Sequence, residues 1–405
     1  MLKRNKLHIK SKLKKINILY AVNMCWKAYL VKKRYAFLRK HYEELASKRS
    51  ITYRESNVPN QVANLLQEQG ITFTPLPKGR LRILYVGTDP EQDFGGIIQG
   101  LQKFGEIILF EHKPNHYGQI LPHEVGENAS EYNGTRLIKM VKSALKVGPL
   151  HVIIGQMWAN TMSPWALQQV RKLGIPVVNI SMDDRHAFKG KKINGRWTGT
   201  GGLIKAIDLA CTAAKECCLW YQIEGCPAIY LPEASDPELY KPLPLPKEYD
   251  VCFVGANYGI RSKIVKAIEK KGIKVTCYGN GWPSGKIDVK KLPELFAKSR
   301  IVLGIGTIGH CSDFYALKMR DFDGPMSGSL YITHDNPDLY ELYEVGKEIV
   351  TYRTPRECAW KVVYYLNHPE EAEEIRKAGR ERALRDHTWE KRFEKVFQTL
   401  GILDK

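Results

Sequence analysis

Residues 319–328 read Met-Arg-Asp-Phe-Asp-Gly-Pro-Met-Ser-Gly, and a β-branched and aromatic run, Ser-Leu-Tyr-Ile-Thr, follows. Asp323 stands where a helical run is being stopped, and Gly324, Pro325 and Gly328 strip side chains from the turn beyond it. Two readings fit. Gly and Pro can simply punctuate the end of a helix. Alternatively a ligand lies against that turn and the aspartate grips it. A second acidic group, Asp183-Asp184 with His186 close behind, follows the apolar run Pro-Val-Val-Asn-Ile-Ser. Paired aspartates after a strand either cap a helix or serve a site, and Asp183, Asp184 and His186 are all able to take a proton.

These groups need elements to hold them. From Leu81 onward short apolar runs alternate with helical patterns: Leu-Arg-Ile-Leu-Tyr-Val, then Phe94-Gly95-Gly96 opening a helix, then Ile-Ile-Leu-Phe near 107, His-Val-Ile-Ile-Gly-Gln near 151, and the run before Asp183. Continuous apolar strands separated by helices predict a doubly wound parallel sheet. Ligands of such sheets lie at the carboxyl ends of the strands. Gly87, Gly95, Gly96, Gln156, Asp183, Asp184 and the run Thr198-Gly-Thr-Gly-Gly202 all fall there.

A Pro-rich stretch, 236–246, predicts a linker, after which the pattern restarts. Tyr-Asp-Val-Cys-Phe-Val ends at Gly255, and Asn257-Tyr258-Gly-Ile-Arg261 forms a turn with a cation. Later strands exit at Tyr278-Gly279-Asn-Gly281 and at Gly304, Gly306 and Gly309. Glycine turns that bare backbone N–H groups suit phosphate. Neither the dinucleotide G-x-G-x-x-G with its following acid nor G-x-x-x-x-G-K-[ST] occurs in register, which argues against an oxidoreductase or a P-loop NTPase. H-E-x-x-H, zinc-type cysteine spacings and G-x-S-x-G are missing too, which argues against a metal hydrolase or a serine hydrolase of that type.

Charge is unevenly spread. Residues 1–54 hold sixteen Lys and Arg against Glu43 and Glu44, whereas the remaining chain carries 46 basic and 41 acidic residues. The basicity therefore belongs to an N-terminal arm. Its apolar block, Ile16 to Val31, is interrupted by Asn17, Asn23 and Lys27, too short and polar for a transmembrane helix. A basic helix with Trp, Tyr and Leu on one side suits an anionic membrane surface. Plain packing on the body is the other reading. No nucleic-acid motif supports binding to RNA or DNA. The nine cysteines lack paired spacing, which fits a reducing cytoplasm, with the arm able to touch the inner face of a membrane.

The region from Tyr249 to Phe397 resembles the donor-binding half of GT-B fold glycosyltransferases, and among them the CgeB-like and glycosyl transferase group 1 enzymes. The run R-D-F-D-G-P-M-S-G-S-L-Y-I-T-H-D-N-P-D-L-Y-E-L-Y-E-V-G-K-E-I-V at 320–350 carries the resemblance, with H-T-W-E-K-R-F at 387–393. Gly95-Gly96 and the run I-P-V-V-N-I-S-M-D-D at 175–184 resemble elements of the acceptor lobe. The resemblance implies an α/β fold of two Rossmann-like doubly wound domains facing across a cleft, with the basic helical extension in front. The expected divisions are 1–78 for the extension, 79–235 for the acceptor domain, 236–375 for the donor domain, and 376–405 for a helix bracing the lobes.

It further implies transfer of a sugar from a nucleoside-diphosphate sugar to an unidentified glycan, lipid-linked or protein acceptor. Retention is implied, with no metal and no cofactor beyond the donor substrate. Asp323 would take the ribose hydroxyls, since a carboxylate accepts both bonds of a vicinal diol. Arg261 would hold the diphosphate. Gly95, Gly96, Gly255, Tyr258, Tyr278, Gly279, Gly306, Thr307, Arg320 and Gly328 would complete the donor site. Asp183, Asp184 or His186 would be the base if the reaction inverts. The sequence departs from the group at Tyr315, where a second carboxylate is usual, at Ala256, where a cation is usual, and at Met182, where a His is usual. A nucleotide-sugar epimerase on the same architecture, or a non-catalytic scaffold using its basic arm, are the alternatives.

Overall fold

The computed structural model describes residues 2–193 and 195–404, with side chains from Val22 onward. Two parallel sheets form the body. The first contains β1 (Leu81–Val86), β2 (Gly105–Leu109), β3 (Val152–Gly155), β4 (Val177–Ser181), β5 (Leu209–Thr212) and β6 (Ala228–Tyr230), in the order β6-β5-β4-β3-β1-β2. The second contains β7 (Tyr249–Val254), β8 (Val275–Tyr278), β9 (Ser299–Leu303), β10 (Leu330–His334) and β11 (Val350–Tyr352), in the order β8-β7-β9-β10-β11. Helices cover both faces, so strands such as β3 and β10 are buried along their whole length. That is why they read as unbroken apolar runs.

Strand order reverses between β1 and β3 in the first sheet and between β7 and β9 in the second. Crossover helices leave opposite faces at such points and open a crevice beyond the strands' carboxyl ends. Gly87 and Gln156 stand at the first crevice. Gly255 and the loop from Gly304 stand at the second.

Two chain crossings join the lobes side by side. The segment after β6 leads into the second lobe, and α5 (Pro355–Asn367) and α6 (Pro369–Asp386) lead back through His387 and Thr388 into α7 (Trp389–Leu400). Ser235 N–H donates to His387 O at 3.0 Å and Trp389 N–H donates to Ser235 O at 3.1 Å, which ties the crossings together. Helix α6 runs unbroken from 369 to 386, and the chain reaches the first lobe through 387–388. Thr388 caps α7 through Lys391 N–H. Trp389, Phe393 and Phe397 then bury themselves among Ile83, Ile97 and Phe104 of the first lobe.

The N-terminal arm is one long helix, α1 (Leu2–Lys48). Its second half packs through Leu38, Tyr42 and Ala46 on the first lobe. Tyr42 stacks on Trp220 of α2 (Cys217–Ile223) with ring centres 5.2 Å apart. Farther up, Ala28, Val31 and Tyr35 meet Ile308, Cys311, Phe314 and Ala316 of the second lobe. No described helix is long and apolar enough to cross a membrane.

Candidate donor site in the cleft

At the reversal of the second sheet two guanidinium groups converge. Arg261 opens α3 (Arg261–Glu269), and Arg320 opens α4 (Arg320–Met326). Between them lies Gly255, with φ +152°. A methyl group there would come within 3.0 Å of Arg320 Nη1 and 3.2 Å of Arg261 Nη1. Both arginines donate to one carbonyl, Ile305 O, each at 3.3 Å, and Arg261 also donates to Ala256 O at 2.7 Å. The Nε of each is buried without a partner. Tyr258 lies 3.9 Å under the Arg261 guanidinium. Among the described residues no ion pair reaches either arginine. Burial and the charge of Arg320 press Arg261 down to about 10. Two like charges, Arg261 buried and Arg320 half-buried, rest on neutral carbonyls without an ion-pair partner, and an anion supplied there relieves both.

Asp323 lies one turn along α4 from Arg320, on the same face. It is 5 % exposed, and its Oδ1 has no partner. Burial pushes its carboxyl well above the usual range. Ser235, near but outside hydrogen-bonding geometry, and Arg320 pull it back. Its neighbour Asp321 is by contrast fully used, accepting from Tyr331 Oη at 2.6 Å and Lys318 N–H at 2.7 Å. Gly324 lets α4 press on β10, since a Cβ would come 2.5 Å from the Tyr331 ring. So the glycine serves packing, and the unspent group is the aspartate.

Other buried polar atoms also lack partners, among them Thr307 Oγ1, His334 Nδ1, Asn336 Nδ2, Ser235 Oγ, Glu233 Oε2 and Trp389 Nε1. Each buried group left unpaired costs about 1–3 kcal/mol. His334, at the end of β10, is driven down to about 4 by burial and Arg261. It is therefore a neutral imidazole, with the tilted rings of Tyr315 and Tyr352 centred 5.4 and 4.6 Å away.

Across the cleft, Asp183 lies 3.9 Å from His186 Nε2 and 4.0 Å from Lys318 Nζ, a residue of the opposite lobe. Burial holds the His186 pKa down. Asp184 points the other way. It is 1 % exposed and accepts from Ser181, Thr200 and Tyr221, so it fastens β4 to the core and does not face the cleft. Glu233, at the exit of β6, is buried and pushed up to about 8, with Lys318 pulling it back.

The glycines divide. Gly95 faces Val289 of the second lobe at 3.8 Å from a notional Cβ, and Gly96, with φ +136°, is pressed on the Trp389 indole. Gly306 leaves a notional Cβ 3.0 Å from Ala316 O. Gly279 abuts the Gly255 carbonyl, and Gly328 stops α4 against Pro242. Gly279 therefore brings two strand exits together, and Gly328 lies outside the cradle. Tyr278 accepts the Gly255 N–H at 2.8 Å through its carbonyl. Trp282 donates to Gly255 O at 2.8 Å, so its ring supports the cradle wall. The second cation beside Arg261 is Arg320, not a neighbour of Ala256. Lys318, Glu233 and His334 escaped the sequence reading, although His334 and Glu233 both follow strands, where a ligand-facing residue is expected.

The sheets, their reversals and the returning helix are the GT-B fold. Sucrose-phosphate synthase from Thermosynechococcus elongatus superposes with a TM-score of 0.55 at 11% identity, covering 79% of this chain and 98% of that one. HepE of Anabaena in complex with UDP and glucose gives 0.53 at 12% identity, covering 80% and 100%. A glycosyltransferase from Rickettsia africae gives 0.52 at 11% identity, covering 80% and 98%. Residues 261–398 match a family profile described as glycosyl transferase-like. No curated protein matches the chain by sequence. With that domain set in that fold, the chain is a glycosyltransferase-type enzyme.

Proposed function

We propose that the protein transfers a glycosyl unit from a nucleoside-diphosphate sugar, held by the second lobe, to a glycan, lipid-linked or protein acceptor received by the first. The observation that carries this reading is the pair of buried Arg261 and half-buried Arg320, neither in an ion pair among the described residues, with the unpartnered Asp323 one helical turn from Arg320. The diphosphate neutralises the two guanidinium groups, and Asp323 accepts from the ribose diol. The structure of HepE with UDP-glucose supports a donor of this class. The resemblance of the 320–350 run supports a CgeB-like subgroup within this class.

In the reaction the acceptor oxygen bonds to the anomeric carbon as the bond from that carbon to the phosphate oxygen breaks. The electron pair leaves with the nucleoside diphosphate, whose charge Arg261 and Arg320 stabilise without calling on a metal. The resemblance favours retention, with the departing phosphate taking the acceptor proton. The Asp183–His186–Lys318 cluster favours a second reading, inversion with Asp183 as base. The anomeric configuration of the product, read by proton NMR, separates the two.

The test of the whole reading is a thermal-shift panel of UDP, GDP, ADP, CMP and dTDP, with and without magnesium, on the wild type and on Asp323→Ala. A stabilisation specific to one diphosphate, independent of magnesium and lost in the variant, is the expected result. No shift with any nucleotide overturns it.

A further inference from the structure

Helix α1 has two unlike faces. One is spent on the body: Tyr35 donates to Glu216 at 2.6 Å, Tyr42 donates to Glu224 at 2.5 Å, and Leu38 and Ala46 are buried. The other is bare. Val22, Trp26, Tyr29, Leu30 and Phe37 are 60, 58, 51, 45 and 69 % exposed. At 100° per residue these five fall on one stripe opposite the packed face, with Lys33 and the Lys40–Glu44 pair in the same stripe. A single exposed apolar residue is ordinary, but five aligned on a helix already seated by its other side form a contact surface.

Charge decides the occupant. Residues 1–21 carry seven Lys and Arg and no acid, and the stripe adds its own lysines. A second copy would bring the same positive charge to the contact. Nucleic acid would meet the charge but leave the aliphatic members, Val22 and Leu30, unburied. A bilayer of anionic lipid satisfies both halves: indole and phenol rings settle at the headgroup level, aliphatic side chains sink below it, and lysines reach up to the phosphates. We propose that α1 docks this protein on an anionic bilayer through the stripe from Val22 to Phe37.

The docking helix also touches the loop that borders the donor site. Lys32 pairs with Asp313 at 2.7 Å, Tyr35 packs 4.8 Å from Phe314, and Cys311 Sγ donates to Ala28 O at 3.6 Å. All three contacts fall on the loop that begins at Gly304 and includes Ile305, whose carbonyl holds Arg261 and Arg320. The helix that carries the stripe and the anion cradle thus share one loop.

The experiment is co-sedimentation of the full chain with vesicles of phosphatidylcholine alone and of phosphatidylcholine mixed with phosphatidylglycerol, alongside analytical ultracentrifugation without lipid and titration with a single-stranded RNA. Trp26→Glu with Phe37→Glu is compared with the wild type. Both positions are exposed, so an unchanged melting temperature certifies the fold of the variant. The expected result is binding to the anionic vesicles only, weakened about tenfold or more in the variant. Three results overturn the proposal: no binding to anionic vesicles; equal binding by the variant, which would mean charge alone; or a lipid-free dimer or RNA complex that the variant loses while vesicle binding is absent.

Discussion

Glu233 carries a proton for a structural reason, since its buried Oε2 has no donor and Lys318 offsets burial only in part. In the unfolded chain the same carboxyl titrates near 4.5, and in the fold it is pushed up to about 8. Between those values the folded protein keeps a proton that the unfolded chain releases. The stabilising contribution is thus complete below about 4.5 and drains away as pH rises toward 8, at up to about 1.4 kcal/mol per pH unit. Glu233→Gln keeps the shape and removes the titration. Its melting temperature should fall less steeply than that of the wild type between pH 5 and 8. Parallel profiles would show that Glu233 finds a partner in solution. Asp323 and Asp184 are raised as well, so the difference between the two proteins, rather than either profile, reports on Glu233.

Among the elements, the exit of β7 is the sharpest test of the cradle. Gly255 has a φ that L residues rarely adopt, and its missing Cβ leaves the room in which the two guanidinium groups meet. Gly255→Ala should cost about 1–3 kcal/mol of stability through strain and weaken diphosphate binding by about tenfold or more by displacing both arginines. Calorimetric titration beside a melting curve separates the two effects, and unchanged affinity would place the anion elsewhere. This turn was legible in the sequence, as were the strands, because buried parallel strands write themselves as apolar runs ending in glycine. Asp183 and Asp184 looked alike, since a one-residue step around a turn sends one carboxylate to the cleft and the other to the core. Arg320 could not be named as the second cation from spacing, because only the fold brings residue 320 to residue 255. Burial without a partner, which marks Glu233 and His334, is a property of the packed lobes and has no letter in the chain. The basic arm was legible as a helix with an aromatic side, but its grip on both lobes was not.

At the scale of the whole molecule, one arginine latches the lobes. Arg185 follows Asp183 and Asp184 of the first lobe and donates to Asp338 of the second at 2.5 and 2.8 Å. It also donates to Glu216 at 2.8 Å and to the Tyr315 carbonyl at 3.0 Å. Its side chain is 13% exposed, so salt screens it little. Burial raises the Glu216 carboxyl, but Arg185 outweighs it and holds the pKa below the usual value. Other bridges across the cleft, Lys215–Glu341 and Lys286–Glu91, are more than half exposed and contribute about 0–1 kcal/mol each. They cannot stand in for Arg185. Arg185→Met keeps the stem but strands Glu216 and Asp338, at a cost of about 3–5 kcal/mol. The cradle of Arg261, Arg320 and Asp323 lies wholly within the second lobe, so nucleoside diphosphate should still stabilise the variant. Transfer needs both lobes at a fixed distance, and a small misplacement of reacting groups costs about a hundredfold in rate. The expected pattern is a lowered melting temperature, a retained diphosphate shift and a fall in kcat with little change in donor KM. Loss of the diphosphate shift together with transfer would mean that the cradle is completed by the first lobe and does not stand on its own.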